Sequence, residues 1–190
     1  MCFHIGAMLH VTDDHWLAGA RRIESPNAGP RPDPEDISLL VVHGISLPPG
    51  EFGTGCVEAL FTNTLAIETH PAFADLDGVR VSAHLLISRR GRMTQFVAFD
   101  RRAWHAGVSS YRGRQGCNDF AIGVELEGTD SRPYTNTQYA RLAAVVAALC
   151  TRYPKLSVSA VVGHAEIAPG RKTAPGPAFD WARLIQDLLR

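Results

Sequence analysis

The chain has 190 residues, of which 45% are hydrophobic and 20% charged, with 17 glycines and 12 prolines. This composition is typical of one ordinary globular domain and excludes a disordered tail, a coiled coil or a repeat array. Lys and Arg together number 19, as do Asp and Glu, so the net charge is zero and no nucleic-acid partner is expected. The longest apolar stretches are shorter than the roughly 20 residues that cross a bilayer, so we expect no membrane span.

The beginning of the chain does not have the pattern of a secretory signal. No Lys or Arg precedes its short apolar stretch, which His4, Gly6 and His10 interrupt. The four cysteines are scattered and form no CxxC pair, which argues against a zinc ribbon or a redox dithiol. Together these features predict a protein of the reducing cytoplasm.

The first half of the chain contains four predicted elements. DDHWLAGARRI (13–23) has an acidic N-cap and apolar residues at helical spacing, which predicts a short helix. The Pro- and Gly-rich segment 25–38 predicts a long surface loop. SLLVVH (38–43) is a continuous apolar run and predicts a strand buried on both faces, ending at a histidine. CVEALFTN (56–63) has helical periodicity.

The second half begins with a predicted hairpin, because two strand-like segments, 80–88 and 93–98, flank the turn RRGR. AIGVELE (121–127) predicts another central strand. Thr135 and Gln138 resemble a capping box, and apolar residues at helical spacing continue this helix to Arg152. The last two elements are a strand ending at a histidine and a C-terminal helix, at 158–164 and 179–190.

Strands and helices are interleaved, and the predicted hairpin makes at least one strand pair antiparallel. We therefore predict an α/β (α+β) fold in which a mixed central β-sheet is flanked by helices. No break in composition divides the chain, so residues 1–190 are predicted to form a single domain.

Three side chains are candidates for metal-assisted hydrolysis. His43 and His164 each end an apolar strand pattern, and Glu125 lies within a third. Strand ends at one edge of a sheet can bring two imidazoles and a carboxylate together, as zinc hydrolysis requires. The alternative is that the histidines are hydrogen-bonded structural residues. A glutamate between apolar strand residues is more informative, because a carboxylate is seldom buried without a partner.

Further polar residues have weaker patterns. His105 follows Trp104 and could line a groove with it. Lys172 lies in a loop after His164 and could stabilise a developing oxyanion, although on its own a solvated loop charge is the better explanation. His84, in SAHLLI, is interpreted as a sheet residue whose ring nitrogen is satisfied by the backbone.

Five stretches carry a resemblance to a known family: LLVVHGISLPPGEFG, RVSAHLLI, RAWHAGVSSYRGR, CNDFAIGVELEGTD and GHAEIAPGRKTAPGPAFDW. In this order and spacing, from about Trp16 to the C-terminus, they closely resemble the AmpD-type N-acetylmuramoyl-L-alanine amidases. These are related to phage lysozyme-type amidases and peptidoglycan recognition proteins and share a mixed sheet flanked by helices. The resemblance implies a monomeric cytoplasmic zinc amidase of cell-wall recycling, linked to β-lactamase induction. Its substrate would be an anhydromuropeptide, cut between anhydro-N-acetylmuramic acid and L-alanine of the stem peptide.

The resemblance also assigns roles to individual residues. His43 and His164 match the two zinc-binding imidazoles, Glu125 matches the catalytic base, and Lys172 matches the cation beside the oxyanion. Four other residues fall at positions that contact muropeptide in the family: Arg80, Trp104, Leu126 and Ala165.

One position departs from the family pattern in a way that matters for the metal. The family motif has an aspartate zinc ligand where this chain has Ala174, and a methyl group cannot bind zinc. The expectation is a weakened zinc site and impaired or absent hydrolysis. In one alternative, Glu166, Asp180 or a water takes the place of the missing ligand. In the other, the chain is a non-catalytic muropeptide-binding protein. A more distant alternative is an amidase of intact peptidoglycan outside the cytoplasm. Gly44, where relatives often have Asn, is a lesser departure.

Overall fold

The structure is a computed structural model that describes residues 9–189. Its described part contains ten β-strands, four α-helices and four short 3-10 helices. The strands are β1 (Arg21–Arg22), β2 (Ala28–Pro30), β3 (Leu39–Ile45), β4 (Leu85–Ile87), β5 (Met93–Gln95), β6 (Arg101–Ala103), β7 (Ser110–Tyr111), β8 (Arg114–Gln115), β9 (Ala121–Glu127) and β10 (Val161–Gly163). The α-helices are α1 (Cys56–Phe61), α2 (Asn136–Arg152), α3 (His164–Ile167) and α4 (Trp181–Leu188). The 3-10 helices are Ile67–Thr69, Pro71–Leu76, Cys117–Asp119 and Val158–Ala160.

A six-stranded sheet of order β1-β5-β4-β9-β3-β10 forms the centre. Only β4 and β5 pair antiparallel, and the other neighbours are parallel, so the predicted mixed sheet is confirmed. The longest pairing joins β3 to β9 over seven residues of each strand. All of β9 and the first five residues of β3 are buried, as expected for the two predicted apolar runs.

Apolar side chains pack on both faces of the sheet. Along β4, Leu85 and Ile87 belong to the core beneath α2, whereas Leu86 belongs to a second core that includes α1. This alternation follows from the two-residue period of a strand. Helices therefore cover both faces of the sheet, whereas the strand ends are not covered by them.

Helix α2 begins as the sequence predicts. The Thr135 hydroxyl accepts a hydrogen bond from the Gln138 amide at 3.2 Å, and the Gln138 side chain accepts one from the Thr135 amide at 3.0 Å. The side-chain amide of Gln138 also donates to the carbonyls of Ile87 and Glu127. This fully buried residue thus fixes the start of α2 against the ends of β4 and β9.

The predicted helix at 13–23 is wrong. The backbone N–H of Thr12 donates to the Trp16 carbonyl at 2.8 Å and closes a turn. His15 has a φ of 64°, which lies in the left-handed region and interrupts any α-helix. The segment then adds β1 as an edge strand beside β5, so tertiary pairing overrides the local helical spacing.

Other predicted boundaries change in detail. The hairpin forms, but its strands shrink to β4 and β5. The strand ending at a histidine becomes β10, and His164 instead begins α3. The 25–38 segment contains β2 and the buried Arg31, so it is not wholly a surface loop.

In the described chain, no helix is long and apolar enough to span a membrane. The prediction about an export signal concerns residues 1–16, of which residues 1–8 lie outside the described residues.

Candidate functional site

The register of β3 and β9 brings His43 and Glu125 side by side. The two residues are partners in the parallel ladder, and both are buried, with relative exposures of 2% and 8%. His43 Nδ1 lies 3.9 Å from Glu125 Oε1. The two residues, 82 positions apart in the sequence, therefore share one site at the carboxyl ends of the parallel strands.

His164 reaches the same site from the other side of β3. It begins α3 directly after β10, whose Gly163 pairs with Val42, the residue before His43. The Nδ1 atoms of His43 and His164 lie 2.9 Å apart, and their ring centres are 4.4 Å apart. The structure thus brings together the two imidazoles and the carboxylate that the sequence singled out.

The Nε2 atoms of both histidines also have hydrogen-bond partners. His164 Nε2 donates to the Ala106 carbonyl at 3.2 Å, so its Nδ1 is the bare nitrogen of a neutral ring. His43 Nε2 lies 3.0 Å from His105 Nδ1. If His43 Nε2 carries the proton and donates it to His105, then His43 Nδ1 has no proton either. The lone pairs of two unprotonated nitrogens 2.9 Å apart repel each other unless a cation lies beside them. Otherwise His43 Nδ1 carries a proton that it donates to His164.

Burial governs protonation in the site. It lowers the pKa of His43 well below its usual value and lowers the pKa of His164 to about 4. Both rings are therefore neutral at pH 7, as metal-binding imidazoles must be. Burial raises the pKa of Glu125 to about 8, with the charge of Lys172 acting in the opposite direction. Glu125 Oε2 is buried and makes no hydrogen bond to any described residue.

The loop that carries Lys172 and Ala174 lies next to His164. The Ala165 amide donates to the Ala174 carbonyl at 3.0 Å, which ties the loop to the start of α3. Lys172 is exposed, yet its charge is close enough to lower the pKa of both His43 and His164. Ala174 contributes only a methyl group at the position of the expected ligand.

The two carboxylates suggested as replacement ligands have other roles. Glu166 Oε1 accepts a hydrogen bond from the Gly163 amide at 2.9 Å, and Asp180 Oδ1 accepts one from the Arg183 amide at 3.0 Å. Each caps the start of its helix. Among residues 9–189, no three His, Cys, Asp or Glu side chains are grouped so that they could hold a metal ion. Catalytic zinc usually has three protein ligands, so the residues present do not fit a complete catalytic zinc site.

The four residues assigned to substrate contact differ in accessibility. Arg80 is exposed, whereas Trp104 and Ala165 are half-buried. Leu126 is fully buried in the core and pairs with both neighbouring strands, so it presents no exposed surface to a ligand in this structure, contrary to its expected contact with muropeptide. The lesser departure at Gly44 has a structural consequence, because a Cβ there would collide with the Tyr134 hydroxyl.

His105 has a larger part in the site than the sequence indicated. Its backbone N–H donates to Asn118 Oδ1, and its ring packs over the backbone of Gly123, where a Cβ would collide with it. The sequence placed His105 only in a groove beside Trp104. Its contact with His43 depends on the path of the chain between β6 and β9, for which no local motif exists.

His84 is held mainly by the backbone, as predicted. Its Nδ1 accepts a hydrogen bond from the Gly123 amide at 3.0 Å, and its Nε2 lies 3.0 Å from the Arg101 carbonyl. The buried guanidinium of Arg31 also approaches Nε2, at 3.1 Å. The His84 ring packs edge-on against the His105 ring, with ring centres 5.7 Å apart, and His105 in turn contacts His43.

Comparison with known proteins identifies the family. The family model Amidase_2, described as N-acetylmuramoyl-L-alanine amidase, matches residues 33–177. The chain belongs to this amidase family. The 1,6-anhydro-N-acetylmuramyl-L-alanine amidase AmpD of Citrobacter freundii is 61% identical over 173 residues, which cover 91% of this chain and 92% of that protein. The amidase fold extends over nearly the whole chain.

Two solved structures are similar to this amidase. The crystal structure of a selenomethionine AmpD derivative has a TM-score of 0.90 and 59% identity, covering 93% of this chain and 98% of that one. A second is the amidase AmiD of Escherichia coli in complex with anhydro-N-acetylmuramic acid-L-Ala-D-γ-Glu-L-Lys. It has a TM-score of 0.59 and 27% identity, covering 95% of this chain and 65% of that one.

Proposed function

We propose that this chain binds anhydromuropeptides of cell-wall recycling in the site of His43, His164 and Glu125. The reaction of this site is hydrolysis of the amide between anhydro-N-acetylmuramic acid and L-alanine, and Ala174 impairs it in this chain. The observation that carries the proposal is the meeting of the two imidazoles, 2.9 Å apart, beside a buried carboxyl group. The high identity to AmpD supports the choice of substrate.

The metal part of the proposal is a weakened zinc site with two imidazole ligands, His43 and His164. Their neutral rings and close Nδ1 atoms favour a divalent cation, and His105 and the Ala106 carbonyl orient the outer nitrogens, as groups behind metal ligands commonly do. Without a carboxylate at position 174, less of the ion's charge is neutralised, so we expect weak binding.

The protonation of Glu125 depends on the charges beside it. Burial raises its pKa to about 8, and the charge of Lys172 acts in the opposite direction. A divalent cation held by His43 and His164 would lower this pKa further, and the deprotonated carboxylate could then act as a general base. Lys172 has an exposed cation near enough to lower the pKa values of His43 and His164, so it can attract a ligand oxygen in the same site.

A second candidate function is a muropeptide-binding protein without catalysis. The substitution at Ala174 favours it, because the ligand-binding residues remain while the third metal ligand is missing. The first proposal also includes a cytoplasmic location, which the scattered cysteines and the resemblance support. A monomeric state and a role in β-lactamase induction rest on the resemblance alone.

The deciding experiment restores the missing carboxylate. Zinc affinity and release of stem peptide are measured for the unaltered chain, for Ala174→Asp and for the matched control Ala174→Asn, which has nearly the same size but no charge. We expect tight zinc binding and turnover only in Ala174→Asp. If Ala174→Asp gains neither, the impaired-enzyme proposal is wrong and the binding function is favoured. Efficient hydrolysis by the unaltered chain would contradict the impairment itself.

The role of Glu125 is tested in the same background. In Ala174→Asp, the further substitution Glu125→Ala is expected to reduce turnover at least 100-fold, roughly the contribution of a general base, while zinc stays bound. Near-normal turnover would remove Glu125 from the mechanism.

A further inference from the structure

The loop 168–176, which carries Lys172, packs against backbone that has no side chain. A Cβ at Gly163 would lie 2.9 Å from the Pro175 Cδ, closer than side-chain atoms normally approach, and a Cβ at Gly44 would lie 3.6 Å from the Pro175 Cα. Gly44 follows one histidine of the site, and Gly163 precedes the other. Pro175 therefore lies directly on the backbone next to both histidines, where glycine allows the close approach.

The Tyr134 side chain is hydrogen-bonded to this loop. Its hydroxyl donates to the Pro175 carbonyl at 2.9 Å, and the bond is buried. The same hydroxyl occupies the space at Gly44, where a Cβ would collide with it. Burial raises the pKa of Tyr134, and the charge of Glu125 raises it further, so the hydroxyl keeps its proton and remains a donor. Tyr134 thus links the loop to the backbone beside His43.

Packing fixes the position of the Tyr134 ring. The ring lies over the backbone of Gly128, where a Cβ would collide with it, and it meets the Phe179 ring edge-on, with ring centres 5.4 Å apart. Tyr134 is buried and belongs to the core beneath α2. A buried tyrosine hydroxyl usually finds a hydrogen-bond partner, and here the partner is the loop.

The backbone on both sides of Lys172 is restrained. On one side its amide donates to the Ala168 carbonyl at 3.1 Å, and on the other a hydrogen bond closes the turn 173–176 at 2.9 Å. Pro175 lies within this turn, so its bond to Tyr134 holds the chain that follows Lys172. The charge of Lys172 lowers the pKa values of both histidines of the site, which shows that the cation lies near them.

We infer that Tyr134 is a positioning residue, whose hydroxyl holds the loop so that the Lys172 cation stays within reach of a ligand in the site of His43, His164 and Glu125. This inference rests on the proposed function, in which Lys172 attracts a ligand oxygen. Tyr134 acts through the loop, because its hydroxyl is buried and already bonded to the backbone. Removal of the hydroxyl releases one of the restraints on Lys172.

Hydrogen exchange of the Ala165 amide measures whether the loop stays in place. This amide donates to the Ala174 carbonyl at 3.0 Å, so it exchanges when the loop moves away. Tyr134→Phe keeps the ring and removes the hydroxyl. We expect the Ala165 amide to exchange about three- to tenfold faster in this variant, the usual effect of one lost hydrogen bond. Unchanged exchange would overturn the inference.

Tyr139→Phe is the matched control. This buried tyrosine also packs on Phe179, with ring centres 5.2 Å apart, but its hydroxyl accepts a hydrogen bond from the Asp180 amide, which lies outside the loop. It should lower the urea midpoint about as much as Tyr134→Phe and leave the exchange of the Ala165 amide unchanged. If both variants accelerate this exchange equally, Tyr134 has only a general structural role and the inference fails.

Ligand binding tests the connection between Tyr134 and Lys172. The affinity for anhydro-N-acetylmuramic acid-L-Ala-D-γ-Glu-L-Lys is measured by calorimetry in Tyr134→Phe, in Lys172→Gln and in the double variant. Each single variant should bind about three- to tenfold more weakly. The double variant should bind no more weakly than Lys172→Gln, because the loop then has no cation to position. Additive losses would show that Tyr134 acts independently of Lys172 and would overturn the inference.

The same titrations separate this inference from the proposed function. If the unaltered chain binds the ligand and Tyr134→Phe binds it equally well, the proposed function stands and the positioning role of Tyr134 is wrong. If the unaltered chain does not bind the ligand, the proposed function is wrong and the inference fails with it.

Discussion

Gly123 in β9 leaves the space that the His105 ring occupies, and Gly123→Ala tests this packing. A Cβ at this position would lie 2.6 Å from His105 Nδ1 and 2.7 Å from its Cδ2, closer than side-chain atoms normally approach. Because β9 is central and buried, the strand cannot move away, so the His105 ring must. Its contact with His43 Nε2, at 3.0 Å, would then be lost.

The size of the effect follows from two contributions. Overpacking of a buried site costs about 1–3 kcal/mol, and loss of one buried hydrogen bond costs about 0.5–1.5 kcal/mol. The expected decrease in the free energy of unfolding is therefore about 2–4 kcal/mol. For a chain of this size, each kcal/mol lowers the melting temperature by about 2–4 °C, so Tm should fall by roughly 5–15 °C.

The assay is urea unfolding, followed by circular dichroism, of the metal-free chain and its variants. Gly29→Ala is the control, because a Cβ there meets only the Arg102 side chain at 3.8 Å, and its stability should change by less than about 0.5 kcal/mol. In the double variant Gly123→Ala with His105→Ala the colliding ring is absent, so the two effects should be non-additive by about 1 kcal/mol or more. Strict additivity, or a stable Gly123→Ala, would refute the reasoning.

Other predictions concern buried polar groups and acid stability. Arg31→Met should lower the free energy of unfolding by about 3–5 kcal/mol in urea titration, because four backbone carbonyls lose their donor. Gln138→Leu should cost about 2–4 kcal/mol in the same assay, since two buried carbonyls and a helix-capping amide lose their partner. Burial lowers the pKa of His105 to about 3 and of His164 to about 4, so the unfolded chain binds more protons below pH 6.5. The urea midpoint should therefore fall as the pH decreases from 6.5 towards 4. Glu125, with its raised pKa of about 8, acts in the opposite direction, and a midpoint that rises over this range would contradict the neutral, buried state of the histidines.

Much of the candidate site is predictable from the sequence because its residues lie in strongly patterned segments. The apolar runs that end at His43 and contain Glu125 are typical of central strands, and parallel neighbours place such positions at one edge of the sheet. Ala174 stands out by comparison with a family motif. The departure from the motif at this position is visible in the sequence, whereas the packing of the neighbouring side chains is not.

The sequence by itself determined the mixed sheet, the long capped helix, the membership of the amidase family and the identity of the three central side chains. Each of these depends on local periodicity, local capping chemistry or residue motifs, all of which are written along the chain. Only the tertiary structure decided that His105 supports His43, that Arg31 is buried, and that residues 13–23 form turns and an edge strand. It also placed the guanidinium groups of Arg89 and Arg132 over the same aromatic ring, that of Phe52. These features depend on contacts between segments far apart in sequence, where packing and strand pairing outweigh local preference.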